Sequence, residues 1–149
     1  MNTKEYNLLL ADDDEDDCDF FREALNELPI TYSLITVNDG VELMSFLSDK
    51  SENSLPDILF LDLNMPRKNG FECLTEIKQN KKLQPLSVII FSTSLDVNIV
   101  DTMYENGAIY YIRKPGDYSK LKKVIGNALA LISGKKMKQP EREQFILQP

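Results

Sequence analysis

Five short apolar runs recur along the chain, and the sequence between each run and the next is long enough for a helix. The runs are Tyr6–Ala11, Tyr32–Val37, Ile58–Leu61, Val88–Phe91 and Ile109–Ile112. Ile58-Leu59-Phe60-Leu61 is apolar at every position, as in a strand covered on both faces. The intervening stretches repeat apolar residues at helical spacing. Cys18, Phe21, Leu25 and Leu28 share one face, closed by Pro29. Val41, Met44 and Leu47 follow the Asp39-Gly40 turn, and Phe71, Leu74 and Ile77 follow Asn69-Gly70. Val97, Val100, Met103 and Tyr104 precede the C-cap signal Asn106-Gly107. Leu121, Val124, Ile125, Ala128, Leu129 and Ile132 form the clearest stripe, ended by Gly134. Strands that alternate with helical crossovers run parallel. The pattern therefore predicts an α/β chain of order (βα)5, with a five-stranded parallel sheet covered on both faces.

Composition bounds the function. With 149 residues and 42% apolar content, one domain with one core is expected. A net charge of −7 disfavours non-specific nucleic-acid binding. No apolar run approaches the roughly 18 residues of a membrane span, and residues 1–8 are too polar for a signal peptide. Cys18 and Cys73 lie far apart in no metal-binding spacing and read as reduced, core-facing residues of a cytoplasmic protein. The chain has no histidine, which excludes Ser-His triads and most zinc sites.

A parallel sheet delivers every strand's C-terminal end to one edge, where ligands bind. The first strand ends in Asp12-Asp13, the third in Asp62, the fourth in Ser92-Thr93-Ser94 and the fifth in Lys114-Pro115. Carboxylates, hydroxyls and one ammonium suit Mg2+ and a phosphoryl group. Crowded carboxylates repel, so without a cation at least one should have a raised pKa. With a cation present, Asp62 becomes a usable nucleophile toward phosphorus, giving an acyl phosphate. Lys114 and Ser92 would hold the phosphoryl oxygens. Asp14 to Asp17 read as surface residues at a helix start, Asp14 or its neighbour capping it.

These residues resemble the receiver domain of bacterial two-component response regulators. The resemblance rests on Leu8-Leu9-Leu10-Ala11-Asp12-Asp13, Asn38-Asp39-Gly40, Asp62-Leu63-Asn64-Met65-Pro66 with Asn69-Gly70, Ser92-Thr93-Ser94, Asn106-Gly107-Ala108 and Lys114-Pro115, in order. It implies a flavodoxin-like, doubly wound fold with strand order 2-1-3-4-5. It also implies that Asp62 accepts a phosphoryl group from a sensor histidine kinase, and that the chain is a phosphoacceptor rather than a turnover enzyme. Asp13, Asp62 and the backbone carbonyl of Asn64 would ligate Mg2+, Asp12 acting mainly through a bound water. Ser92 would be the switch hydroxyl, with Thr93 beside it, and Lys114 the phosphate-binding cation. Tyr111 would be the switch aromatic, turning into space that Ser92 vacates. Tyr110 competes for that role, since adjacent strand residues point to opposite faces. Asn64 and Ser94 would flank the attacking water and set the acyl-phosphate lifetime. The Lys114-Pro115 bond is expected to be cis.

The receiver unit is expected to span 1–134, leaving 135–149 as an extension too short for an output domain. Residues 62–70, the polar loop at 48–56 and the short tail resemble the subgroup that serves phytochrome-type kinases. Dimers occur in that subgroup, and Phe145-Ile146-Leu147 is either an apolar contact for a homodimer or a frayed terminus. No nucleic-acid or membrane partner is expected. A phosphohydrolase of the haloacid-dehalogenase type would want an acid at position 64, where Asn stands. A scaffold-only receiver would lack Asp13, Asp62 or Lys114, and all three are present. Flavin phosphate would be repelled by the acids after the first strand.

Overall fold

The computed structural model describes residues 5–132 and 138–149. Gly134, expected to end the last helix, lies outside them. The elements run β1 (Glu5–Ala11), α1 (Glu15–Asn26), β2 (Thr31–Val37), α2 (Gly40–Ser48), β3 (Ile58–Leu61), α3 (Gly70–Gln79), β4 (Ser87–Ser92), α4 (Val97–Glu105), β5 (Tyr110–Arg113), α5 (Tyr118–Leu131) and β6 (Ile146–Leu147). Short 3-10 turns at Glu52–Ser54 and Arg142–Gln144 interrupt the connections. All strand pairs are parallel, in the order β2-β1-β3-β4-β5-β6.

Each helix start is written locally. Asp14, Asp39, Asn69, Asp96 and Asp117 cap the five helices through side-chain oxygens that accept backbone N–H groups. At α3 the cap is reciprocal, because Glu72 also accepts the Asn69 N–H. α4 ends at Asn106, and Gly107 takes φ +94°, the left-handed conformation that a glycine adopts without strain.

Period-2 alternation splits the core into two layers. Leu8, Leu10, Phe60, Ile89 and Ile112 pack beneath α1 and α5 with Phe21, Leu25, Val124 and Ile125. Phe21 meets Phe60 and Phe91 edge-on, with ring centres 4.8 and 5.6 Å apart. Leu9, Ala11, Leu59, Leu61 and Ile90 face the other way, against Leu43, Leu74, Val100 and Met103. Tyr110 and Tyr111 fall in opposite layers, as adjacent strand residues must. Cys18 and Cys73 are buried free thiols, pushed up by burial to about 11 and about 12. No helix among the described residues is long and apolar enough to cross a membrane.

Three helical stripes differ from expectation in the same way. Val41, Phe71 and Val97, each expected to face the core, are exposed, Val97 at 65%. All three lie in the first turn of their helix, where side chains lean toward the N-terminus and past the sheet edge. Leu43 and Cys73, absent from the expected stripes, are fully buried instead.

The expected five-stranded sheet is corrected to six strands. Ile146 and Leu147 pair with Tyr111 and Ile112, and the Tyr111 N–H donates to the Phe145 carbonyl at 3.0 Å. The outer edge of β5 would otherwise leave its N–H and C=O groups unpaired, and the tail satisfies them. Phe145 is fully buried within its own chain, with ring centres 5.0 Å from Tyr104 and 6.2 Å from Tyr111. The Tyr104 hydroxyl donates to the Pro140 carbonyl at 2.7 Å, and Arg142 pairs with Asp101 at 2.7 Å. Phe145→Ala should therefore cost about 3–5 kcal/mol in urea unfolding, the usual range for a buried Phe. Leu131→Ala, at an exposed site, should stay within roughly 0.5 kcal/mol.

Candidate functional site

The C-terminal edge of the sheet gathers the expected residues. The Asp12 N–H donates to the Val37 carbonyl at 3.0 Å and the Asp62 N–H to the Ala11 carbonyl at 2.9 Å. Both acids thus continue the sheet's hydrogen-bond ladder by one residue, which fixes their backbones. The start of α3 crosses the end of β3 so closely that a Cβ on Gly70 would lie 2.3 Å from the Asp62 carbonyl oxygen. The Lys114 N–H donates to the Ser92 carbonyl at 2.8 Å, tying the end of β5 to that of β4.

Asp12 and Asp62 are buried and Asp13 is exposed, with oxygens of all three within 4.8 Å of one another. The Lys114 ammonium stands 2.9 Å from Asp12 Oδ2 and 3.4 Å from Asp62 Oδ2. It also lies 5.4 Å from the centre of the Phe91 ring. The Asp14 N–H donates to Asp12 Oδ1 at 3.0 Å, and the Asn64 N–H to Asp62 Oδ1 at 3.4 Å.

Burial pushes the Asp62 carboxyl up to about 6, Lys114 opposing the shift and the charge of Asp12 adding to it. Burial raises Asp12 as well, against the Asp14 N–H and Lys114. Burial disfavours the Lys114 ammonium too, but the carboxylates of Asp12, Asp17 and Asp62 around it outweigh that and its pKa is raised.

This donor set fits a divalent cation. Asp12 Oδ2 is buried and receives no aligned hydrogen bond, although it makes the ion pair with Lys114. Three carboxylates offer hard oxygen donors, and a cation among them would remove the penalty that raises Asp12 and Asp62.

The other expected residues take distinct places. Ser92 is fully buried, its Oγ accepting the Ser94 N–H at 3.2 Å. Thr93 is exposed, Ser94 half-buried, and Asn64 exposed at the rim. Tyr111 is fully buried and its hydroxyl donates to the Ser94 carbonyl at 2.6 Å. The ring expected to turn inward is already there, with Phe145 packed against it. No peptide bond among the described residues is cis, so the Lys114-Pro115 bond is trans, contrary to expectation. Trans is the commoner form for any X-Pro bond, and with it Lys114 reaches all three of its carboxylate partners.

One residue set aside as surface belongs to the site. Asp14 caps α1 as expected, but Asp17 is half-buried and its Oδ2 lies 2.9 Å from the Lys114 ammonium. The sequence does hold a signal for this. Asp17 precedes the buried Phe21 by one helical turn, so it stands on the sheet-facing side of α1.

Residues 8–126 match the response regulator receiver domain family. The chain is 34% identical over 121 residues to response regulator Rcp1 of Synechocystis sp., which covers 79% of this chain and 82% of Rcp1. The Mn2+-bound form of Rcp1 superposes with a TM-score of 0.76 at 32% identity, over 91% of this chain and 99% of that one. The phosphorylated cyanobacterial phytochrome response regulator RcpA superposes with a TM-score of 0.79 at 29% identity, over 93% and 100%. The chain spans 53% of the longer, probable C4-dicarboxylate response regulator DctR of Bacillus subtilis, at 28% identity. The chain belongs to the response regulator receiver domain family. It is a signalling phosphoacceptor and not a metabolic enzyme.

Two outcomes follow from the raised carboxylates. Between the ordinary 3.8 of Asp62 and about 6, the folded chain holds a proton that the unfolded chain has released, and the raised Asp12 acts in the same direction. Stability therefore falls as pH rises through this window, and the metal-free thermal midpoint should be higher at pH 5 than at pH 7. A flat or opposite profile contradicts the assignment. At pH 7, millimolar Mg2+ should raise the midpoint of wild type and leave a charge-removed Asp13→Asn, Asp62→Asn pair unmoved.

Proposed function

We propose that Asp62 accepts a phosphoryl group and that the adduct alters the surface formed by α4, β5 and α5. Asp62 lies buried with two further carboxylates and one ammonium around it, an arrangement suited to phosphoryl chemistry; this observation carries the reading. A carboxylate oxygen of Asp62 forms the new bond to phosphorus as the bond from phosphorus to the donor's leaving group breaks. The leaving group departs with the electron pair. Lys114 sits within reach of the new phosphoryl oxygens, and the Ser92 hydroxyl lies at the end of the neighbouring strand. Asp12, Asp13, Asp62 and the carbonyl of Asn64 would hold Mg2+, which when bound supplies charge neutralisation for the incoming phosphoryl group. Asn64 at the rim and Ser94 on the β4–α4 loop are the residues we assign to tuning hydrolysis.

The switch passes through Ser92. Its hydroxyl oxygen now accepts the Ser94 N–H, and the Ser94 carbonyl accepts the Tyr111 hydroxyl. When Ser92 moves to bond the phosphoryl group, that chain of contacts loosens. The loop before α4 and the ring of Tyr111 then redistribute together, adding to the roughly −1.5 to −2 charges that arrive.

We further propose a cytoplasmic location, a sensor histidine kinase of the phytochrome type as donor, and a homodimer. Similarity to Rcp1 and RcpA supports the first partner. Among the described residues β6 is the last strand on its side of the sheet, and it offers an edge to a second copy. The receiver unit is assigned to 1–134 and the extension to 135–149.

Intact mass after incubation with acetyl phosphate tests the acceptor reading. Wild type should gain one phosphoryl group only with Mg2+ present, and Asp62→Asn should gain none. Steady release of phosphate with no adduct would replace the reading with an enzyme.

A further inference from the structure

We infer that Asp17 is a brake on phosphorylation that works by engaging the Lys114 ammonium in competition with a phosphoryl group on Asp62. The inference rests on Asp62 being the phosphoacceptor. The ammonium of Lys114 has three N–H donors and three carboxylate neighbours. It stands 2.9 Å from Asp12 Oδ2 and 2.9 Å from Asp17 Oδ2, but 3.4 Å from Asp62 Oδ2. The cation therefore sits nearer to β1 and α1 than to Asp62, although it still pairs with all three carboxylates. A phosphoryl group on Asp62 brings new anionic acceptors, which compete with Asp17 for the Lys114 ammonium.

Asp12 is the poor candidate to yield. Its side chain is fully buried, it is anchored on the sheet ladder, and among the described residues the ion pair with Lys114 is what compensates its Oδ2, which receives no aligned hydrogen bond. Asp17 is the good one. Its side chain is 35% exposed, so water can replace Lys114 at little cost. It is also placed firmly, since its own N–H is held at 3.1 Å by the Asp14 cap and the next turn carries buried Phe21. An ion pair present only before phosphorylation stabilises the unphosphorylated state and raises the donor concentration needed for half occupancy. Asp17 touches neither the acceptor oxygen nor the phosphorus, so it is a positioning residue that acts through Lys114.

The test is phosphoryl occupancy by intact mass against acetyl phosphate concentration, with Mg2+, in wild type, Asp17→Asn, Asp17→Glu and Asp16→Asn. In each, the bond from phosphorus to acetate breaks, acetate leaves, and the bond to the Asp62 oxygen forms. Asp17→Asn should lower the half-saturating concentration about 2- to 5-fold, the size expected of a half-exposed ion pair. Asp17→Glu should restore most of the wild-type value. Asp16→Asn removes the same charge from the same exposed turn without touching Lys114, and should shift it far less. The Asp17→Asn effect should vanish in a Lys114→Ala background, which a general charge effect would not do. Equal shifts from Asp16→Asn and Asp17→Asn, no shift, or a shift toward higher donor concentration overturn the brake alone. The absence of an adduct in every variant overturns the acceptor reading and the brake with it.

Discussion

Asp12 and Asp62 are held side by side at the ends of two buried strands, and the electrostatic cost of that placement organises the rest of the site. Burial alone raises both carboxyls; the charge of Asp12 adds to the shift on Asp62, and that of Asp17 to the shift on Asp12. Lys114 offsets part of the cost from 2.9 and 3.4 Å, and hydrogen bonds from the Asp14 and Asn64 backbones offset a little more. What is left over is an excess of negative charge where oxygens of Asp12, Asp13 and Asp62 lie within 4.8 Å of one another. That residual charge favours a divalent cation, and with it an incoming phosphoryl group. The site is thus under tension before any ligand arrives, which is the usual condition of a group tuned for chemistry.

The fold makes this tension affordable by fixing the backbone elsewhere. β1 and β3 are buried on both faces and adjacent in the sheet, so the two acids emerge in neighbouring positions. Gly70 lets α3 close over the end of β3 without a Cβ in the way. The tail completes the other flank. β6 pairs with β5, and Phe145 lies against Tyr111, whose hydroxyl is bonded to the loop that follows Ser92. The acidic corner and the α4–β5 surface are therefore joined by an unbroken series of contacts.

Much of this was legible in the residues. The five main strands and the face of α5 follow from apolar periodicity, because β1, β3, β4, β5 and the inner face of the last helix are deeply buried and tolerate little else, and the edge strand β2 keeps a half-buried alternation. The convergence of Asp12, Asp13, Asp62 and Lys114 follows from parallel topology alone. Three kinds of feature were not legible. Val41, Phe71 and Val97 have the right spacing but sit in first turns, where the sheet has ended and periodicity no longer reports burial. β6 is two residues long and carries no period, and its pairing depends on a free edge that exists only in the folded sheet. Asp17 looked like one more solvated acid, since its partner lies 97 residues away and the pairing is a product of packing between α1 and the end of β5.

The most direct test of the central claim is to locate the acyl phosphate chemically. Borohydride reduces an aspartyl phosphate to homoserine while leaving free carboxylates untouched. Phosphorylated chain should therefore yield a peptide with homoserine at position 62 and unmodified Asp12 and Asp13. Homoserine at 12 or 13, or none in a chain that carries the added phosphoryl mass, would contradict the account, because the buried carboxylate at the end of β3 would then not be the nucleophile.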